Sequence, residues 1–469
     1  MYKPTDFEQQ QLNFFNFNAS CGMALDEGNE WIKNGTRLPW KAWEAMYAAM
    51  FPGIKGQVAK SCRMVIGSFI IQLRMGFSDR DLVKQLQENP YYQYFIGLDE
   101  FQHGQPFTPS LLSIWRTRLT AEFVIKANDL LCDAMPKPQK RSKSFGLKTS
   151  GTLVATQICD ATVAPQRIRF PQDTSLLNEA RVKLESMIDW FCLEYSLEKP
   201  RTYRKVAHKD FLTFAKSKKP SYDKIRDAVK VQLGYVSRDL KYIDAFLLEG
   251  HKLDKKYEDN LATIRKLYEQ QKYMYDNKTH KVKDRIVSIS QPYVRPIVRG
   301  KASKPTEFGA KIHLSIDERG FARIEHLSFD SYNEGPMLQN ALEAYKYRSG
   351  HYPSRVLVDQ LYRTTGNIAF CKENGIRISG PKLGRPTKDK VKRESAKKVT
   401  DQDNVDRIQI ERFFSTAKRR NGMGLIDRKR EDTSLMTIAF SVMVTNIFGT
   451  FKLAVEEIEK ENDESVKKK

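Results

Sequence analysis

The chain has 469 residues, 40% of them hydrophobic and 11% aromatic, enough apolar material for two or three domains with cores of their own. Its 79 Lys and Arg against 57 Asp and Glu leave a formal charge of +22 spread along the sequence, so the expected partner is a polyanion, nucleic acid rather than a membrane surface. Composition argues against a membrane protein or a disulfide scaffold: no uninterrupted apolar run reaches the roughly 18 to 20 residues of a span, MYKPTDFEQQ does not read as a signal peptide, and the six cysteines, at 21, 62, 132, 159, 192 and 371, show no paired metal spacing and suit a reducing compartment as buried thiols.

From about Leu38 to Leu131 the pattern predicts an all-α module, assigned to residues 1–136, with Pro39 in a first turn and WKAWEAMYAAM, QVAKSCRMVIGSFIIQLRM and SDRDLVKQLQ as helices. Ser78 with Asp81, and Thr108 before SLLSIWRTRL, read as N-caps. The stretch between those helices is too long for the tight turn of a helix-turn-helix motif, and a generic helical bundle is at least as good a reading. Arg74, Arg116 and Arg118 are either phosphate contacts or a solvated face. A basic linker at 137–151 marks a boundary. Beyond it, Leu153 to Cys159 is a nearly unbroken apolar run, predicting a strand covered on both faces that ends on Asp160. An acid there is either a turn or cap residue or part of a ligand edge.

A helical, basic insertion follows from about 176 to 300. A strand is predicted near Lys311 to Ile316, with DERG turning into FARIEHLSF. MLQNALEAYKYRSG reads as a helix stopped by Gly350, RVLVD as a short buried strand ending on Asp359, TGNIAFCKENG as a helix and IRISG as a strand. PKLGRPTKDKVKRESAKK reads as a loop. The helix from Asp403 to Gly424 carries Ile410, Phe413, Phe414 and Ala417 at the spacing of a buried stripe, with Arg407, Glu411 and Lys418 on the neighbouring one. Such a row is either a surface helix with an i,i+4 pair or a rigid mount for a metal-binding acid with bases for a phosphate backbone. Asp403 and Asp406 rival Glu411 for that role. Thr433 to Val455 is long and apolar, but Ser441, Thr445, Asn446 and Gly449 favour a core helix. The tail at 457–469 is expected to be disordered.

Strand with Asp160, insertion, hairpin, helix, strand with Asp359, helix, strand, helix with Glu411 is the order of a ribonuclease H-like α/β sheet carrying a helical insertion within residues 152–456. Three acids and a basic surface are what two hard cations need for in-line phosphoryl displacement.

These residues resemble a bacterial insertion-sequence DDE transposase. ICDATVAPQRIRFPQDTSLLNEAR, RPIVRGKASKPTEFGAKIHLSI and VLVDQLYRTTGNIAFCKENGIRISGPKLGRP carry the resemblance, and the N-terminal helices resemble the module that precedes the catalytic domain in that family. Many members have a signature of Tyr, two residues, Arg, three residues, Glu, six residues, Lys; here Asn404, Arg407, Glu411 and Lys418 stand at that spacing, Asn404 departing at the Tyr. Leu361 departs where many relatives have Gly before the tyrosine, here Tyr362. The resemblance implies Asp160, Asp359 and Glu411 as a metal triad for two Mg²⁺, with Mn²⁺ as a substitute. It implies Arg407 and Lys418 at the DNA, and Arg419, Arg420, Tyr362 and Arg363 are expected there with them. The activity implied is cleavage at the inverted repeats of a mobile element and strand transfer into double-stranded target DNA, by a homodimer on DNA in the bacterial cytoplasm. A catalytically inactive DNA-binding regulator and a structure-specific nuclease of the same fold are the alternatives.

Overall fold

A computed structural model describes residues 2–3, 25–53, 57–134, 155–298, 306–381, 384 and 389–451. The expected linker at 137–151 and the tail at 457–469 lie outside the described residues, as do Cys21 and most of 382–388.

Among the described residues seven helices come first: α1 (Glu30–Arg37), α2 (Trp40–Ala48), α3 (Cys62–Met75), α4 (Asp79–Glu88), α5 (Pro90–Phe95), α6 (Pro109–Arg118) and α7 (Ala121–Ala134). Their ends are set by local chemistry. Ser61 accepts from the Met64 N–H at the start of α3, and Gly76, at φ +72°, closes it in the left-handed region. Ser78 accepts from the Asp81 N–H and donates to its carboxylate at 2.6 Å, capping α4 as expected. Thr108 precedes α6 but makes no capping bond to it.

Strand β1 (Thr156–Pro165) is followed by the insertion helices α8 (Asp173–Glu194), α9 (Arg204–Ala215), α10 (Tyr222–Leu248) and α11 (Lys255–Asp276). These have a core of their own, built from residues such as Leu184, Ile188, Val236, Leu240, Ile264 and Leu267. Then come β2 (Arg295–Val298), β3 (Thr306–Ile316), β4 (Ala322–Ser328), α12 (Met337–Ser349), β5 (Arg355–Leu357), α13 (Thr365–Glu373), β6 (Arg377–Ile378), α14 (Lys390–Arg420) and α15 (Glu431–Asn446). Gly350, at φ +79°, ends α12 as the sequence suggests.

The protein is therefore a mixed α/β structure. β1 runs antiparallel to β3, from Ile158 opposite Ile316 to Pro165 opposite Gly309. On the far side of β3 lie β4 and, further along, β2; on the other side of β1, β5 and then β6 run parallel to it. Two expectations are corrected here. Asp160 does not end its strand: β1 continues to Pro165 because β3 stays paired with it to Gly309. And the Lys-rich stretch from Lys390 to Lys398 is not loop but the first turns of α14, which starts where Asp389 accepts from the Val391 and Lys392 N–H groups.

The two faces of the sheet are covered separately. One packs Cys159, Val356 and Val358 against Leu338 and Leu342 of α12 and Cys371 of α13. On the other, Ile158, Ile312 and Leu314 meet Ile410, Phe413, Phe414 and Ala417 of α14, in a core continuous with α15 and with the N-terminal helices through Trp43, Ile70 and Leu131. Helix α15 together with the turn that continues it, Glu431–Thr450, has the length and apolarity to cross a membrane, yet most of it is enclosed. Its polar groups are satisfied there: Ser441 and Thr445 donate to carbonyls one turn back, and Asn446 bridges Asn128 and Ala322.

Candidate active site

Asp160 and Thr162 project from the face of β1 that α14 crosses, since alternate strand residues share a face. The β1–β5 register runs from Thr156 opposite Arg355 to Ile158 opposite Leu357. Carried two residues further it brings Asp359 level with Asp160, on neighbouring chains about 4.8 Å apart in a regular sheet. Asp359 is exposed, because β5 has ended, and it caps a short 3₁₀ turn, Gln360–Tyr362, by accepting from the Gln360 N–H.

Glu411 reaches the same place from α14. Arg407, one turn before it, lies 3.1 Å from Glu411 Oε1 through Nη2 and 3.8 Å from Asp160 Oδ2 through Nη1. One guanidinium thus joins the strand acid to the helix acid. Two turns beyond Glu411, Lys418 Nζ donates to Thr162 Oγ1 at 2.9 Å. Arg419 and Arg420 are exposed at the end of the helix.

The rival acids have another task. Asp403 and Asp406 are 2% and 3% exposed. Arg355 of β5 contacts Asp406 at 2.7 Å and Asp403 at 3.2 Å, and Arg377 of β6 contacts Asp403 at 2.6 Å. They pin α14 to the sheet. Tyr362 is fully buried, stacked on His313 at 5.6 Å. Arg363 donates to the Ser379 and Pro381 carbonyls, holding the chain that leaves β6.

The electrostatics single out Asp160. Burial, above all, pushes its carboxyl up to about 6, while the Ala161 N–H and Arg407 pull down and the charges of Glu334 and Asp359 push further up. Glu334, in the loop after β4, is an acid that sequence reasoning missed. SFDSYNEGP has no periodic pattern, and only the fold brings it beside β1.

Carboxylate oxygens are the donors that hard dications take, so the chemistry of Asp160, Asp359 and Glu411 fits such an ion. Among the described residues no three acids stand close enough together to hold one as they are. Arg407 contacts two of the acids instead.

Two family models match the chain: a transposase DDE domain over residues 356–447, and a transposase domain (DUF772) over residues 20–118. The first spans Asp359, Arg407, Glu411 and Lys418; the second covers most of the N-terminal helices. A Rhizobium meliloti protein named uncharacterized protein ORF8 in nfe locus is 26% identical over 174 residues, 36% of this chain and 76% of the relative. No solved structure matches.

Proposed function

We infer from the two matches that the chain is an insertion-sequence transposase of the DDE type, and we propose that Asp160, Asp359 and Glu411 form its catalytic acid triad. The observation that carries this is the meeting of strand and helix: Asp160 on β1 and Asp359 two residues past the end of the neighbouring β5, with Glu411 tied to Asp160 through Arg407. The strand plan, β4–β3–β1 antiparallel and β5 and β6 parallel, supports a ribonuclease H-like assignment.

The activity is cleavage of the phosphodiester at the element's ends by water, then attack of the freed 3′-hydroxyl on target DNA. A divalent cation, Mg²⁺ or Mn²⁺, when bound, activates the attacking oxygen and stabilises the leaving one. The protein's share is placement. The buried ion pairs of Arg355, and the half-exposed Arg377 on Asp403, fix α14, so Glu411 is carried on a rigid helix rather than a loop. Arg407, turned toward the acids here, has the reach to exchange them for a phosphate, and the exposed Arg419 and Arg420 extend a basic edge from it. Lys418, held at Thr162, keeps a cation beside the strand. The DNA, bound as a homodimer complex, is gripped mainly through phosphates.

The test is strand cleavage and strand transfer on a labelled end with Mg²⁺, with Mn²⁺ and with chelator. Asp160→Asn, Asp359→Asn and Glu411→Gln each abolish both steps while binding persists, and binding falls steeply with salt. Cleavage undiminished by chelator overturns the assignment. Cleavage without joining points to a nuclease, and end binding with neither step to an inactive regulator.

A further inference from the structure

Arg407 stands between two acids that a cation would have to share. Its guanidinium lies 3.8 Å from Oδ2 of Asp160 on β1 and 3.1 Å from Oε1 of Glu411 on α14. Hard dications take carboxylate oxygens at roughly 2.0 to 2.6 Å, so a guanidinium that reaches both acids lies in the space such an ion needs. It also neutralises the same two charges. Cation and guanidinium are therefore alternatives at this place and not neighbours.

Arg407 is held differently from the arginine that anchors the helix. Arg355 is buried, and its planar fork is taken up by Thr156 at 2.9 Å, Asp403 at 3.2 Å and Asp406 at 2.7 Å. The Arg407 side chain is 24% exposed against 8% for Arg355, and both of its contacts are longer than the about 2.7 to 2.9 Å of a strong charge-assisted hydrogen bond. Its partner Glu411 is half-exposed. Long ion pairs within reach of water contribute little to stability, so this guanidinium can leave at small cost.

The backbone under it is fixed. Asp403 and Asp406, in the turn before Arg407, are tied to Arg355 and Arg377 of the sheet. Turning the side chain away from the acids thus requires no movement of α14. A phosphate matches the arginine fork as well as a carboxylate does, and a strand entering the site presents one.

We propose that Arg407 makes cation loading depend on DNA: in the free chain its guanidinium occupies the place between Asp160 and Glu411 and holds back a divalent cation, and a phosphate of the bound strand draws it away. This rests on the metal-dependent reading above. By linkage, DNA and cation then raise each other's affinity by the same factor. The device keeps a hydrolytic ion off a chain that has no DNA end in place.

The experiment uses the full chain and Mn²⁺. Phenylglyoxal modification of Arg407 in the wild-type protein, read by mass spectrometry, should be slow without metal and rise severalfold with Mn²⁺; this arm needs no variant to fold. Affinities come from calorimetry and from the loss of free Mn²⁺ paramagnetic signal. Without DNA, Arg407→Met should bind Mn²⁺ more tightly than wild type, by a factor in the about 5- to 150-fold range of such couplings. A precleaved end, which has no phosphodiester at the point of attack to lend oxygens to the ion, should tighten wild type by a similar factor and Arg407→Met hardly at all. Arg407→Lys separates occupancy from charge, because an ammonium keeps the charge but cannot fork between two acids; it should bind Mn²⁺ more like Arg407→Met. Arg407→Lys matching wild type while Arg407→Met is tighter overturns the proposal, since charge alone then accounts for the effect. Labelling unchanged by Mn²⁺, no gain of Mn²⁺ affinity in Arg407→Met, or equal tightening by the end in both proteins also overturns it, and leaves the triad standing. Mn²⁺ binding in Arg407→Met that survives the added Asp160→Asn overturns the triad reading and this proposal with it.

Discussion

Asp403 and Asp406 at one end of the sheet-facing part of α14, and Glu411 a turn or two on, have the same chemistry and opposite fates. The first two are enclosed and saturated: Asp406 takes Arg355 and Gln402, and Asp403 takes Arg355 and Arg377. Glu411 has a side chain 53% exposed, and its ion-pair partner, Arg407, is shared with Asp160. A saturated acid with its lone pairs in use anchors a helix but has nothing to offer an incoming cation. An acid with one loose, shared partner keeps its oxygens available. The difference teaches that function on this helix is assigned by coordination and not by residue type.

The sharpest way to break that comparison is activity. Asp359→Asn or Glu411→Gln should lower strand cleavage by orders of magnitude, and the pair combined should be scarcely worse than either alone, because they act as a unit. Asp406→Asn, if it folds, should keep cleavage within a small factor of wild type. Equal losses from Asp406→Asn and Glu411→Gln at equal folded fraction would erase the distinction.

Stability sharpens it with opposite signs. Asp406→Asn breaks a fully enclosed ion pair, and by the usual cost of doing so it should lose about 3 kcal/mol in denaturant unfolding. Asp160→Asn should gain. The Asp160 carboxyl sits at about 6 in the folded protein against an ordinary 3.8, chiefly through burial, so between those values the folded state binds the proton more readily than the unfolded chain. Its ionisation therefore costs stability as pH rises through that window, and the cost is complete above about 6. At pH 7 in chelator the Asn variant escapes it, a gain on the order of 1 to 3 kcal/mol from a shift of about two units. Below about pH 4 the two proteins should converge. A destabilised Asp160→Asn at pH 7 would mean that the acid is a structural one.

Much of this was legible in the sequence. Because burial follows period and apolarity alone, the apolar run before Asp160, RVLV before Asp359 and the Ile410, Phe413, Phe414, Ala417 stripe mark the two strands and the helix that position the three acids, although β5 stops at Leu357, two residues short of Asp359. The sequence pattern stops being informative where a residue's role depends on a partner far along the chain. Nothing near Asp403 or Asp406 announces Arg355 or Arg377, so in the sequence both stay rivals of Glu411. Glu334 is invisible for the same reason, since Lys311 and Asn367 meet it only after β3, β4 and α13 have packed. The end of β1 is not legible because an apolar run marks burial on both faces, whereas pairing with β3 carries the strand five residues past Asp160.

The smallest effect separates the two tasks of a single lysine. Lys418 donates to Thr162, which is 4% exposed, and so contributes to docking α14 on β1 as well as to the basic edge. Thr162→Val keeps the shape and leaves the ammonium without that acceptor, which should cost about 1 kcal/mol of stability, the net worth of such a bond. If the lysine also serves DNA, end binding in Thr162→Val should be unchanged or slightly tighter. Lys418→Met should lose both: about 1 kcal/mol of stability for the same bond, and end affinity by a few fold, with the slope of log affinity against log salt reduced by about one. Denaturant melts and salt-dependent binding of one labelled end measure all of this. An unchanged salt slope in Lys418→Met would leave Lys418 a strut of the fold, in the company of Arg355 and Arg377 rather than of Arg407.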